Sequence, residues 1–207
     1  MVTNKPVPDI VVGRLPIYLR ALRRFQEEAC ITISSADLAR RLAIGSAQIR
    51  KDLSHFGEFG RQGRGYDVSR LTTELSRILK VDREWGMALV GAGDLGSAIS
   101  QYAGFRARGF RVKCVFDKDP AKIGRRFADL EVLGMEHLLA QVAALSIRVA
   151  IVAVPADEAQ AVVNDLVAAG IRAILNYAPI SIAVPPGVSI QHIDPVVHLQ
   201  RMTYYLE

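Results

Sequence analysis

Met87-Ala-Leu-Val-Gly-Ala-Gly-Asp-Leu-Gly96 joins an apolar run to a glycine turn, and the remainder of the chain reads outward from it. Met87 to Val90 has the composition of a short buried strand. It leads into Gly91-Ala92-Gly93-Asp94-Leu95-Gly96, a G-x-G-x-x-G, and Ser97 to Tyr102 beyond it reads as a helix. Strand, glycine turn and helix in that order are the context a dinucleotide fingerprint requires. The three glycines serve a tight turn, close approach of backbone to pyrophosphate, and close packing of helix on strand. The helix start then offers unpaired N–H groups and a positive dipole end to phosphate.

The sequence after the fingerprint extends the same pattern. Phe110-Arg-Val-Lys-Cys-Val-Phe116 alternates and ends in Asp117, an acid 21 residues beyond Gly96. That is the spacing of a carboxylate that takes the ribose hydroxyls of NAD, and its charge disfavours a 2′-phosphate. The cations Lys118, Arg125 and Arg126 work against that preference. Met135 to Leu145 and Asp157 to Ala169 read as helices, Arg148 to Val154 and Ile171 to Leu175 as buried strands, and Val188 to Ile193 as a last short strand. Strands alternating with helices over short connections make a doubly wound parallel sheet, with its ligand at the carboxyl ends of the strands. Lys118, Val154, Pro155, Asn176 and Ala178 are therefore expected to line the crevice with the glycine loop and Asp117. Asn176 either holds a nicotinamide amide or caps a turn. The tail from Asp194 to Leu206 carries Val197, Leu199, Met202, Tyr205 and Leu206, a stripe too apolar for a free helix end.

Ahead of this sheet lies a segment of different character. Residues 1–80 hold 14 Lys+Arg against 8 Asp+Glu, a net of +6, while residues 81–207 hold 12 against 13, a net of −1. The basic excess thus sits in the first part alone, which points to an anionic partner there. From Asp9 to Ala29, Leu15, Leu19, Leu22 and Phe25 recur at helical spacing, with Pro16 expected near the helix start or at a kink. Ser34 or Ser35 can cap a second helix, with Asp37 completing a capping box and Leu38, Ala39 and Leu42 facing inward. Ile44-Gly45-Ser46 reads as a turn in which Gly45 supplies backbone freedom and Ser46 caps a third helix.

In that third helix, Ala47 to about Phe56, Ile49, Leu53 and Phe56 face the core. Gln48, Lys51, Asp52 and His55 are expected on the opposite face, with Arg50 and Ser54 flanking. This is a helix-turn-helix, and Gln can read adenine while Arg or Lys reads guanine. The candidate DNA-binding region is Ile17 to Phe56, with Ser46, Gln48, Arg50, Lys51 and His55 its foremost residues. Gly57 to Val68 is glycine-rich, with Arg61 and Arg64 at its middle and apolar anchors around them, the pattern of a β-hairpin wing that reaches phosphate or minor groove. Leu71 to Leu79 reads as a connecting helix. The expected division is 1–80 for DNA, 81–193 for the nucleotide and 194–207 for the tail.

Enzyme chemistry is not evident. His55, His137, His192 and His198 fall apart from one another, and there is no Ser/His/Asp arrangement, P-loop or metal-ligand spacing. The nucleotide then reads as a ligand that is sensed, not a reagent. Cys30 and Cys114, both at apolar positions, form neither a C-x-x-C nor a disulfide framework. With no signal-peptide pattern and no long apolar run, the expected location is cytoplasmic. Three other readings stay open: a small NAD(P)-dependent oxidoreductase, a CoA-binding domain on the same fold, and thiol-based sensing.

Ser46-Ala-Gln-Ile-Arg-Lys-Asp-Leu-Ser-His-Phe-Gly-Glu-Phe-Gly60, Gly63-Arg-Gly-Tyr66, Val90-Gly-Ala-Gly-Asp-Leu-Gly96, Phe116-Asp-Lys-Asp-Pro-Ala-Lys-Ile-Gly124 and Asn176-Tyr-Ala-Pro179 together resemble the Rex redox-sensing transcriptional repressors. The resemblance runs from about Arg14 to Leu206. It implies an α/β chain with an N-terminal winged helix-turn-helix domain, a Rossmann-type doubly wound parallel sheet that binds NADH or NAD+, and a C-terminal helix swapped into the partner of a homodimer. It further implies a repressor that holds operator DNA when NADH is low and releases it on binding NADH. Arg14, Tyr102 and Asp194 match positions at which such proteins couple their domains.

Overall fold

The computed structural model describes residues 7–61 and 65–206. The chain divides into two compact units, Met1–Arg83 and Glu84–Glu207.

In the first unit, α1 (Asp9–Glu27) buries Leu15, Leu19, Leu22 and Phe25 on one stripe together with Tyr18. Pro16 lies within α1, and the helix continues through it. Proline removes one intrahelical bond there, while burial of the neighbouring leucines holds the turn. The hydroxyl of Ser34 accepts from the Asp37 N–H and the Asp37 carboxylate accepts from the Ser34 N–H, so the capping box forms at the start of α2 (Ser35–Leu42). The turn into α3 (Ser46–Ser54) departs from expectation. Ala43, at φ 52°, is the left-handed residue that ends α2, whereas Gly45 sits at φ −60° and is itself the N-cap of α3. Ser46 is the first helical residue and not a cap, because the chain has already reversed at Ala43. α4 (Val68–Ile78) is capped by Asp67, which accepts from the Arg70 N–H.

Strands β1 (Thr32–Ile33), β2 (Gly60–Arg61) and β3 (Gly65–Asp67) form an antiparallel sheet in the order β1-β3-β2. β2 and β3 are the two arms of the wing. Arg61 lies in β2, and Arg64 lies outside the described residues. β1 leaves no signal in the sequence, since two residues are too few to show alternation. One core joins α1, α2, α3, β1, β3 and α4 through Leu22, Ile33, Leu38, Ile49, Tyr66 and Leu71.

The second unit begins with β4 (Trp85–Val90), α5 (Asp94–Gln101), α6 (Ala103–Arg106), β5 (Phe110–Asp117), β6 (Arg126–Phe127) and β7 (Leu130–Gly134). A 3-10 turn, Met135–His137, then leads into α7 (Leu138–Ala144), β8 (Val149–Val152), α8 (Ala156–Ala168), β9 (Ala173–Asn176), β10 (Ser189–His192) and α9 (Pro195–Thr203). The sheet order is β10-β9-β8-β4-β5-β7-β6, parallel throughout except that β6 runs antiparallel to β7. The chain travels outward from β4 to β7, returns to lay β8 against β4, and travels outward again. That is the Rossmann order, with its switch point between β4 and β8. Period-two alternation builds a core on each face. Ala88, Val90, Phe116 and Val152 meet α7 and α8, while Met87, Leu89, Val115 and Ile151 meet Ile99 of α5. Among the described residues, no helix is long and apolar enough to cross a membrane.

α5 starts at Asp94, three residues earlier than its composition indicates, so Gly96 stands in its first turn. A Cβ on Gly96 would lie 2.0 Å from the Gly91 carbonyl oxygen, and one on Gly91, at φ 106°, 2.2 Å from that of Ala153. At Gly93 a Cβ would meet nothing within 4 Å. Gly91→Ala and Gly96→Ala are therefore expected to destabilise this unit by about 1–3 kcal/mol through overpacking, and Gly93→Ala to stay within about 0.5 kcal/mol of the parent. Denaturant unfolding followed by the fluorescence of Trp85, the chain's one tryptophan, measures all three.

Candidate functional site

The glycine loop lies at the carboxyl end of β4. Its backbone is anchored below, the Gly91 N–H donating to the Phe116 carbonyl at 2.8 Å. Ala92, Gly93 and Asp94 then carry the chain to the start of α5, whose first N–H groups have no intrahelical acceptor. Asp117, at the end of the neighbouring β5, is 7% exposed. Its Oδ2 accepts from the Ala92 N–H at 2.8 Å and from Lys122 Nζ at 3.0 Å, and its Oδ1 from the Asp119 N–H at 2.9 Å. Burial alone would raise this carboxyl, but these three donors outweigh it and hold it below the usual range. A carboxylate has about four acceptor positions, and these three donors take two on Oδ2 and one on Oδ1. The loop and the acid are thus fixed to each other.

The far wall of the crevice comes from the ends of β8 and β9. Val154 packs against Gly91, and Pro155 caps α8. Lys118 is ion-paired with Glu158 in the first turn of α8 at 2.8 Å, which raises the lysine above its ordinary value. Since β4 lies between β5 and β8, this pair bridges the crevice across the end of β4. Asn176 is fully buried. Its Nδ2 donates to the carbonyls of Ala178 (2.9 Å) and Ile180 (3.3 Å), it meets His192 Nδ1 at 3.1 Å, and its Oδ1 accepts from the Ala178 N–H at 3.0 Å. Of the two roles open to this residue, the geometry gives it the turn. It shapes residues 176–180, and its amide has no spare donor for a nicotinamide.

The third helix of the first unit holds a different kind of centre. Asp52, expected on the outer face, is fully buried. It lies three residues beyond Ile49, one turn along the same side of α3. Arg14 grips it with two bonds, Nε to Oδ2 at 2.6 Å and Nη2 to Oδ1 at 2.8 Å. The Tyr18 hydroxyl donates to Oδ2 at 2.6 Å and Gln48 Nε2 to Oδ1 at 2.7 Å. Burial would push this carboxyl up, yet Arg14, Tyr18 and Gln48 together hold it below its ordinary value. Burial, and after it the bond to Asp52, pushes the Tyr18 phenol up. On the outside of α3, Lys51 and His55 are exposed, and Arg50 donates to the Ser35 hydroxyl at 3.0 Å.

Of the three residues matched to domain coupling, Arg14 belongs to the first unit and is held by Asp52. Tyr102 and Asp194 belong to the second. Tyr102 is 58% exposed and stands edge-on to Phe105. Asp194 caps α9 by accepting from the Val196 N–H. α9 buries no residue, and Val197, Leu199, Met202 and Leu206 stand between 57% and 74% exposed. Cys114 is buried, its thiol pushed up to about 12, and Cys30 is half-buried. Among the described residues, no group of three His, Cys, Asp or Glu side chains is placed to hold a metal.

Glu158, Lys122 and Tyr18 do not stand out in the sequence. A glutamate in a helix's first turn and a lysine five residues past a strand are ordinary surface features until the sheet order brings them to the crevice. Arg14→Ala leaves the Asp52 charge buried without its cationic partner and is expected to destabilise the first unit by about 3 kcal/mol. Because the Asp52 carboxyl titrates lower in the folded chain, its contribution is complete above an unfolded value of about 4 and fades as pH falls through the folded one. The parent should therefore lose stability below about pH 4 and the variant show a flatter acid dependence; unfolding curves across pH by helical circular dichroism test both.

The CoA binding domain family matches residues 82–180, and a family described as "Putative DNA-binding protein N-terminus" matches residues 6–54. The redox-sensing transcriptional repressor Rex of Chloroflexus aurantiacus is 51% identical over 199 residues, 96% of this chain and 94% of that one. The crystal structure of RSP in complex with β-NAD+ and operator DNA is similar with a TM-score of 0.92 at 36% identity, over 98% of this chain and 94% of that one. RSP in complex with β-NADH gives a TM-score of 0.87 at 34% identity, over 98% and 95%. Half of the residues are shared with the Chloroflexus protein across nearly the full length of both chains, and the chain belongs to the Rex family of redox-sensing transcriptional repressors.

Proposed function

We infer that this protein is a DNA-binding repressor, not an enzyme, that reads the NADH/NAD+ ratio: it holds operator DNA when NADH is low and lets go when NADH binds. One observation carries the reading. A winged helix-turn-helix with the chain's basic excess shares a polypeptide with a glycine-loop crevice of Rossmann order, its loop fixed to the carboxylate of Asp117. RSP, a relative of known structure, supports it, having been captured with β-NAD+ and operator DNA and with β-NADH.

In this assignment residues 1–80 take the DNA. α3 enters the major groove with Ser46, Gln48, Arg50, Lys51 and His55, and the wing arginines Arg61 and Arg64 take phosphate or minor groove. Residues 81–193 take the nucleotide. Gly91, Ala92, Gly93, Asp94, Leu95 and Gly96 cradle the pyrophosphate, Asp117 takes a ribose hydroxyl, and Lys118, Val154, Pro155 and the turn of Asn176 and Ala178 form the walls. Residues 194–207 seat in the second subunit of a homodimer, which gives the bare apolar face of α9 a partner. Arg14, Tyr102 and Asp194 relay the nucleotide's state between the units. The protein works in the cytoplasm, where its ligand and its DNA are both found.

The ADP half of the ligand is common to both redox forms, so the far ring has to supply the difference in affinity between the two conformations. On a duplex selected for tight binding, NADH is expected to weaken the complex at least tenfold, a discrimination of about 1.4 kcal/mol, and NAD+ much less, as measured by fluorescence anisotropy. Gly93→Ala, which leaves room in the fold but obstructs pyrophosphate, should bind the duplex normally and ignore NADH. Equal effects of the two nucleotides, or no effect of either, would contradict the reading.

A further inference from the structure

The centre at Asp52 has a consequence for how DNA is read. Gln48 is exposed, in the first turn of α3, where a recognition helix meets base edges. A surface glutamine turns freely and presents either end of its amide. Through its carbonyl and one N–H it pairs with N6 and N7 of adenine; with the amide group rotated, its NH2 donates to O6 or N7 of guanine. Here that freedom is removed. Gln48 Nε2 donates to Asp52 Oδ1 at 2.7 Å, and an ionised carboxylate accepts only, so the nitrogen must face Asp52 and the carbonyl must face away.

Asp52 itself cannot turn. It is fully buried, and Arg14 and Tyr18 occupy both of its oxygens from α1 at 2.6–2.8 Å. With Gln48 included, four donors fill the carboxylate's acceptor positions. What remains available on Gln48 is one N–H and the carbonyl oxygen, which is the pair that adenine complements. Guanine would set its O6 acceptor against that oxygen.

We propose that Asp52 is a positioning residue for base recognition, locking the Gln48 amide in the orientation that accepts adenine and rejects guanine at one base pair of each half-site. This rests on the reading of α3 as the DNA-recognition helix.

The test is selection of bound duplexes from a randomised pool, using the full chain, with adenine-over-guanine preference read at each position. The parent is expected to show a preference of about tenfold at one position per half-site, the discrimination of one bidentate contact, and Gln48→Ala to flatten that position alone. Asp52→Asn places an amide where the carboxylate was, frees Gln48 to rotate, and should reduce the same preference to about twofold or less while preferences elsewhere persist. A loss of fold alone would weaken every position together. Gln48→Asn, a change on an exposed side chain, covers the case in which Asp52→Asn does not fold. Asparagine also reads adenine, so a free side chain would keep the preference, whereas one that must span from Asp52 to the base loses it. A folded Asp52→Asn or a Gln48→Asn protein that keeps the tenfold preference overturns the proposal, as does a Gln48→Ala protein with unchanged preferences. A parent that selects no sequence overturns the DNA-binding reading and this proposal with it.

Discussion

The second unit depends on a contact between two backbones. Gly96, in the first turn of α5, lies so near the Gly91 carbonyl that no side-chain atom fits between them. That approach sets the helix start directly over the end of β4 and leaves the loop from Ala92 to Asp94 as the floor of the crevice. Everything else at the site is arranged against this floor. Asp117 holds the loop through the Ala92 N–H, Lys122 and the Asp119 N–H hold Asp117, and the Lys118–Glu158 pair ties the neighbouring loops across it. The protein's own hydrogen bonds and ion pair thus fix the loop, the acid and the neighbouring loops to one another.

The first unit has an analogous centre of opposite chemistry. One buried carboxylate on α3 is satisfied by Arg14 and Tyr18 from α1 and by Gln48 from its own helix. A buried ion pair contributes little net stability by itself but is costly to break, and its fixed geometry can specify one arrangement of two helices. That describes what a recognition helix needs: a defined roll about its own axis. The same arginine is also one of the residues assigned to communication between units. A change that drew Arg14 away from Asp52 would be felt at Gln48 through a single shared carboxylate.

Much of this is legible in the sequence. The glycine fingerprint, the acid at Asp117 and the alternation of apolar strands with amphipathic helices lead to the sheet, because periods of 2 and 3.6 are imposed by the local backbone. The Ser34–Asp37 capping box and the leucine stripe of α1 are visible for the same reason. The features that escape are those decided by distant residues. Asp52 looks like a surface charge until Arg14, 38 residues earlier, is folded against it. Lys118 looks free until α8 brings Glu158 beside it. β6 and β7 carry Arg126 and Glu131 within short segments, so the edge of the sheet shows neither an apolar run nor clean alternation. The turn before α3 reads as the work of Gly45 because glycine is the usual left-handed residue, yet Ala43 takes that conformation.

Two sites in separate compact units, in this function, report to one another through the nucleotide's redox state. Thermodynamic linkage makes this testable from the ligand's side, because whatever factor NADH takes from DNA affinity, DNA must take from NADH affinity. The most direct measurement is calorimetric titration of NADH and of NAD+ into the full chain, with and without a saturating high-affinity duplex. The duplex is expected to weaken NADH binding by the factor by which NADH weakens the duplex, and to weaken NAD+ much less. An NADH affinity that is the same with and without DNA would contradict this coupling.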